Sequence, residues 1–213
     1  MKKNQRDRII KRHTHSIMMY GHDPQALYWA NREVQELRFD VLLSCGVQRG
    51  DSVLDVGCGF ADLFHYMRNQ NLDVEYTGID LSPDMIQAAR GRSPELSLFQ
   101  GELFDFDPAE KSYDWVLLSG ALNEPLKDDG AYVREMLPRL YASCRKGLAF
   151  NLLNGDYDWT EQEHYSLHAY KPDEIMQQIN VLSALTKLRT DYLQTDVSYF
   201  VWRDKEAMPS ASC

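Results

Sequence analysis

Apolar residues along this chain follow two periods in alternation. Short runs of strand length occupy Ser52–Val56, Val74–Ile79, Leu96–Phe99, Trp115–Leu118 and Gly147–Leu153, and Asp, Gly or Asn punctuates most of their ends. Between them the apolar positions fall at helical spacing. This holds from about Ala61 to Arg68, from Ser82-Pro83 through Met85, Ile86, Ala88 and Ala89, over Asp129–Cys144, and from about Pro172 to Leu185. Upstream, Asp23-Pro24 reads as an N-cap with proline at the first helical position. Leu27, Ala30, Val34, Leu37 and Val41 then recur at helical spacing until Gly46. Two last runs, Arg189–Leu193 and Val197–Trp202, follow each other with no helix between. Strand–helix alternation predicts an α/β fold, a doubly wound and mostly parallel sheet, and the final pair predicts one antiparallel edge strand. The expected organisation is a helical cap over 1–50, a core over 51–203 and a frayed tail over 204–213.

Composition adds limits. The chain has 213 residues, 44% hydrophobic and 26% charged, which excludes disorder and a coiled-coil rod. A net charge of −9 gives it no general attraction for nucleic acid phosphates. The first 12 residues are an exception, with Lys2, Lys3, Arg6, Arg8, Lys11 and Arg12 against Asp7. That stretch reads as a solvated tail or a short nucleic-acid arm. Cys45, Cys58, Cys144 and Cys213 form no C-x-x-C pair, so reduced thiols and a cytoplasmic location are expected. The longest uncharged runs fall well short of the ~18 residues of a membrane span, and the basic N-terminus has no apolar signal core.

The candidate chemistry begins at Asp55-Val56-Gly57-Cys58-Gly59-Phe60-Ala61-Asp62. A strand ending in G-x-G lets a ligand approach the backbone without meeting a Cβ. Asp80 closes the next strand, 21 residues after Gly59, at the spacing of an acid that accepts from ribose hydroxyls. Two ligand classes compete. A dinucleotide needs a third glycine and a pyrophosphate at the helix N-terminus, but this chain has Asp62 at that position and Asp55 before the loop. S-adenosylmethionine has no phosphate and carries an ammonium and a sulfonium, which suits a loop flanked by acids.

Four ordered stretches, VLDVGCGFADL, YTGIDLSPDMI, FQGELFDF and YDWVLLSGALNE, resemble the motifs of class I S-adenosylmethionine-dependent methyltransferases of small-molecule type. The resemblance covers about residues 51–203. It implies a Rossmann-like seven-stranded sheet with a reversed last strand, S-adenosyl-L-methionine as cofactor and S-adenosyl-L-homocysteine as product. It also implies site roles. The Gly57-Cys58-Gly59 backbone lines the methionine portion, Asp55 holds its ammonium and Asp80 the ribose. Leu81 and Met85 flank the adenine, and Gly101-Glu102-Leu103 reads it, with Glu102 near the exocyclic amine. Ser119 and Leu122 lie beside the sulfonium. Arg38, on the helix before the first strand, matches an arginine that pairs with the cofactor carboxylate. One departure is Ala61 in place of the usual third glycine of the loop, behind a bulky Phe60 set to change how the loop meets the methionine arm.

The acceptor side is less defined. Segments 13–29 and 155–170 are rich in aromatics and histidine and are placed to roof the strand ends. Tyr20, Asn123, Trp159, Tyr165 and His168 are substrate candidates. His22, Glu124 and His164 are candidates for a general base, a role needed only for an acceptor still protonated. Asp156, Asp158, Glu161 and Glu163, with no Lys or Arg among them, favour a neutral or cationic small molecule. Neither His164 and His168 nor His13-x-His15 has supporting acids, so no metal is expected. Asn123-Glu124 lacks the Asn-Pro-Pro-aromatic pattern of base or glutamine amino methylation. The alternatives are a tRNA or protein acceptor, a non-catalytic cofactor-binding module and a dinucleotide oxidoreductase.

Overall fold

The computed structural model describes residues 1–160 and 167–209. Its strands are β1 (Ser52–Val56), β2 (Glu75–Asp80), β3 (Ser97–Gln100), β4 (Tyr113–Ser119), β5 (Cys144–Leu153), β6 (Thr186–Arg189) and β7 (Asp196–Trp202). They form one sheet in the order β3-β2-β1-β4-β5-β7-β6. The first five pair in parallel, and β7 runs antiparallel to both β5 and β6. The reversed strand is therefore one in from the edge, and all seven of its residues are buried. β6 begins three residues before the expected run, because Arg189 forks onto Asp191 where the chain turns away.

The helices are α1 (Lys3–Tyr20), α2 (Arg32–Leu43), α3 (Asp62–Asn69), α4 (Pro83–Arg92), α5 (Leu103–Phe106), α6 (Ala131–Ser143) and α7 (Pro172–Leu182). Strand residues alternate between two core layers, as a parallel sheet covered on both faces requires. Leu54, Val56, Val116 and Leu118 pack with α6 and α7 through Met136, Leu140, Ile175 and Ile179. Val53, Trp115 and Leu117 pack with α2, α3 and α4 through Phe39, Leu42, Met67 and Ile86.

The helix expected from Pro24 onward is two elements. Pro24–Leu27 is a single 3-10 turn capped by the Asp23 side chain, and Tyr28 then takes a left-handed conformation (φ 64°). Asn31 recaps the chain by accepting from the Val34 N–H at 2.8 Å. An Asn side chain that satisfies an orphan N–H starts a helix better than it continues one. α2, placed in the cap by the sequence, packs on the sheet, so of residues 1–50 only about the first 31 belong to the roof. Residues 204–209, expected to fray, fold back with the Ala207 carbonyl 2.9 Å from where a Cβ on Gly46 would lie. Among the described residues no helix is long and apolar enough to cross a membrane.

Candidate functional site

The chain winds outward through β1, β2 and β3 and then returns to β4, which makes the β1/β4 boundary a switch point where α/β sheets bind ligands. Gly57 follows β1 with φ 76°, and a Cβ there would lie 2.3 Å from the Ala121 Cβ beyond β4. Only glycine fits both constraints. The Gly59 N–H donates to Asp80 Oδ2 at 2.9 Å, and the Ser82 N–H to Asp80 Oδ1 at 2.8 Å. Each oxygen keeps a lone pair for a further donor. All thirteen cofactor candidates, from Arg38 to Leu122, line one cavity of about 950 Å³ at these strand ends.

The acids divide by partner. Asp62 accepts from Arg92 at 2.7 Å and from Gln35 at 3.2 Å, so its charge is already met. The sequence counted it as a repulsive neighbour for a pyrophosphate, and that weight now falls on Asp55. Asp55 is buried and accepts from the Tyr76 hydroxyl at 2.6 Å. Burial pushes its pKa up to about 7; the Tyr76 bond opposes this, and the charges of Asp80 and Asp62 add to it. Burial likewise raises Asp80, with the His13 charge opposing. Phe60 points away from the cavity into a small cluster with Ala26 and Met85.

A raised carboxyl pKa has a signed consequence. The folded state binds the Asp55 proton more tightly than the unfolded chain, so this contribution is complete below about pH 4 and is lost as pH rises through 7. Asp55→Asn keeps an acceptor for Tyr76 and removes the titration. It is expected to stabilise the ligand-free protein by about 2–4 kcal/mol at pH 8 and by little at pH 4. Urea melts at both pH values check this; equal effects would contradict it.

The basic head is not a solvated tail. It is the start of α1, laid across the strand ends. Glu102 accepts from the Arg6 guanidinium, from the Tyr132 hydroxyl and from the Met1 amino group at 3.1 Å. Arg8 donates to the Pro125 carbonyl at 2.6 Å, and Arg12 to Glu124 at 3.0 Å. Glu124 also meets His13 Nε2 at 3.4 Å, while His13 Nδ1 is buried without a partner. The sequence placed His13 in a roofing segment and weighed it as a metal ligand, but not as a base. Arg6, Ile9, His13 and Ser16 recur at 3-4-3 spacing along α1, which was a legible signal for one inward face. A search for apolar periodicity passes over it because three of the four are polar.

Arg38 is buried and holds Asp196 through Nε and Nη2, both at 2.6 Å. Its guanidinium lies 4.5 Å from the centre of the Trp29 ring, and Trp29 fills the space a Cβ on Gly120 would need. A cofactor carboxylate reaching Arg38 would therefore share it with Asp196. Asn123 lines the cavity, but its Oδ1 accepts from the Leu153 N–H at 3.1 Å and ties β4 to β5. Tyr20 and Trp159 line the cavity too. His22 does not: the turn at Gly21 sets it at the surface against Phe60, with ring centres 5.1 Å apart. His168 also lies outside the cavity, its ring 4.4 Å from that of Tyr170. His164 and Tyr165 fall outside the described residues. No group of three or more His, Cys, Asp or Glu among the described residues is placed to hold a metal.

Glycines at a switch point, a buried acid below them and a second acid on the next strand stand where open α/β sheets bind ligands. Residues 53–147 match the family model described as a methyltransferase domain. A Mycobacterium tuberculosis protein named as a methyltransferase is 34% identical over 115 residues, or 50% of this chain and 66% of that protein. Across three curated relatives so named, the matched part spans 40% to 66% of their length. The crystal structure of an S-adenosylmethionine-dependent methyltransferase from Archaeoglobus fulgidus matches with TM-score 0.66 at 14% identity, over 81% of this chain and 95% of that one. The plantazolicin methyltransferase, solved with a triazolic desmethyl analogue and S-adenosylhomocysteine, matches with TM-score 0.65 at 16% identity, over 96% and 100%. Residues 53–147 thus resemble a methyltransferase domain, and the sheet has the fold of S-adenosylmethionine-dependent methyltransferases.

Proposed function

We propose that the chain transfers the methyl group of S-adenosylmethionine to a small, neutral or cationic acceptor held in the same cavity. The observation that carries this reading is the joining of the Gly57 loop, Asp55, Asp80 and the roof residues Tyr20, Tyr28 and Trp159 in one cavity of about 950 Å³. That volume lies within the range of sites that enclose ligands of drug size. Asp55 would hold the cofactor ammonium, Asp80 the ribose and Leu81 and Met85 the adenine. The bound cofactor supplies an electrophilic methyl on sulfur. The chain's part is to hold donor and acceptor in line and to exclude water. His13 is the best placed base, ahead of His22: an Nε2–H donated to Glu124 leaves Nδ1 as the basic lone pair. Arg6, Arg8 and Arg12 are engaged within the chain, which weakens the reading of the basic head as an arm for RNA.

The test is transfer of labelled methyl to separate pools of metabolites, tRNA and protein. Label is expected in the metabolite pool; label confined to RNA or protein would replace the acceptor class. Cofactor binding has its own check. An ammonium beside Asp55 favours the ionised carboxylate, so S-adenosylhomocysteine affinity should fall by up to tenfold per pH unit below about 7. Calorimetry in buffers of different ionisation enthalpy should find proton release there and none in Asp55→Asn.

A further inference from the structure

Glu102 is the carboxylate that the motif resemblance sets near the adenine amine, and its acceptor capacity is already taken. Oε1 receives Arg6 and the Met1 amino group, and Oε2 receives Tyr132 and, at 3.4 Å, the same amino group. Tyr132 belongs to α6 in the body of the fold. Arg6 belongs to α1, whose attachment differs in kind. Of its 18 residues only Ile9 and Ser16 are buried. What fastens it is polar: Gln5 to the Leu126 carbonyl at 2.8 Å, Arg8 to the Pro125 carbonyl, Arg12 to Glu124, and Thr14 to Asp84 at 2.5 Å. An element with few apolar contacts and solvent-accessible polar links sits at the low-stability end of a fold. Arg6 also has somewhere else to go, since it already bonds Asp105 through Nη1 at 2.8 Å.

We propose that Arg6 competes with the cofactor's adenine amine for Glu102, so that α1 is an autoinhibitory strap. The inference rests on the reading of this cavity as a cofactor site. With Arg6 seated, a ligand amine finds Glu102 occupied and apparent affinity is lowered by the fraction of molecules so closed. When the amine takes Glu102, Arg6 retires to Asp105 and the first turns of α1 loosen. Linkage makes the two effects reciprocal: whatever lifts α1 tightens the cofactor. Entry to the cavity and recognition of the base would then be one event.

The experiment compares S-adenosylhomocysteine with its analogue bearing hydrogen in place of the 6-amino group, on the full chain. Arg6→Ala is expected to bind S-adenosylhomocysteine about tenfold more tightly, the scale of one hydrogen bond to a charged group, with affinity for the analogue unchanged. Asp105→Asn removes the carboxylate to which Arg6 retires, so it should weaken S-adenosylhomocysteine binding and leave the analogue unchanged, which covers the case in which Arg6→Ala disturbs the fold. Amide exchange over residues 3–8 should quicken when S-adenosylhomocysteine saturates the wild type, but not with the analogue. Weaker or unchanged S-adenosylhomocysteine binding in Arg6→Ala, or slower exchange on binding, would make Arg6 a closing clamp and overturn the proposal. If neither ligand binds the wild type, the cofactor reading fails as well, which is a separate result.

Discussion

Asp196→Ala is expected to lower the unfolding free energy by about 3–5 kcal/mol, the cost of leaving a buried guanidinium unpaired. Arg38 and Asp196 are 5% and 1% exposed, and two bonds of 2.6 Å join them. The other contacts of Arg38 are the Trp29 ring and a 3.3 Å bond to the Val34 carbonyl, and neither replaces an anion. The pair fixes α2 to the start of β7, and through Trp29 it also holds the roof against Gly120. A pure packing role predicts a different outcome in the double variant. Arg38→Met with Asp196→Leu removes both charges together and should recover most of the loss, because the attraction within a buried pair offsets little more than its desolvation. Urea melts of the three variants decide the matter. A loss below about 1 kcal/mol for Asp196→Ala would show that water reaches Arg38.

Gly57→Ala carries the largest expected effect on ligand binding. The new Cβ would lie 2.3 Å from the Ala121 Cβ and 3.5 Å from its Cα, with no flexible side-chain end to give way. The backbone of one of the two loops must shift, and both line the cavity where the methionine portion is proposed to lie. Stability should drop by about 2–3 kcal/mol, part from the left-handed φ and part from overpacking. S-adenosylhomocysteine affinity should drop by more than about a hundredfold, since such a site tolerates displacements of only a fraction of an ångström. Adding Ala121→Gly relieves the contact but not the torsion. The double variant should therefore regain stability in part and binding in larger part. Equal binding by wild type and Gly57→Ala would remove this loop from the site.

The glycine-loop side of the cavity was legible because it is local. Gly57, Gly59, Asp55 and Asp80 lie on strand ends in adjacent turns of the winding, and a strand's end fixes where its next residue sits. The short apolar runs Ser52–Val56 and Trp115–Leu118 likewise marked two of the strands. The roof was not legible in the same way. The periodic residues from Leu27 to Val41 read as one helix, and only the cap at Asn31 and the left-handed Tyr28 show the break. Arg38 illustrates the limit: its placement near the cavity was readable, but its partner stands 158 residues away on β7.

The sequence by itself determined the sheet, its winding and the acid-flanked glycine loop, because each follows from short-range periodicity and from spacing along adjacent elements. The tertiary structure alone decided which charges are left for a ligand. Asp62 is taken by Arg92, Arg38 by Asp196 and Glu102 by Arg6 and Tyr132, while Asp55 is left with a hydroxyl and a raised pKa. The physical reason is that a charge buried on folding takes whatever partner the packing brings within reach, and separation along the chain carries no information about that meeting.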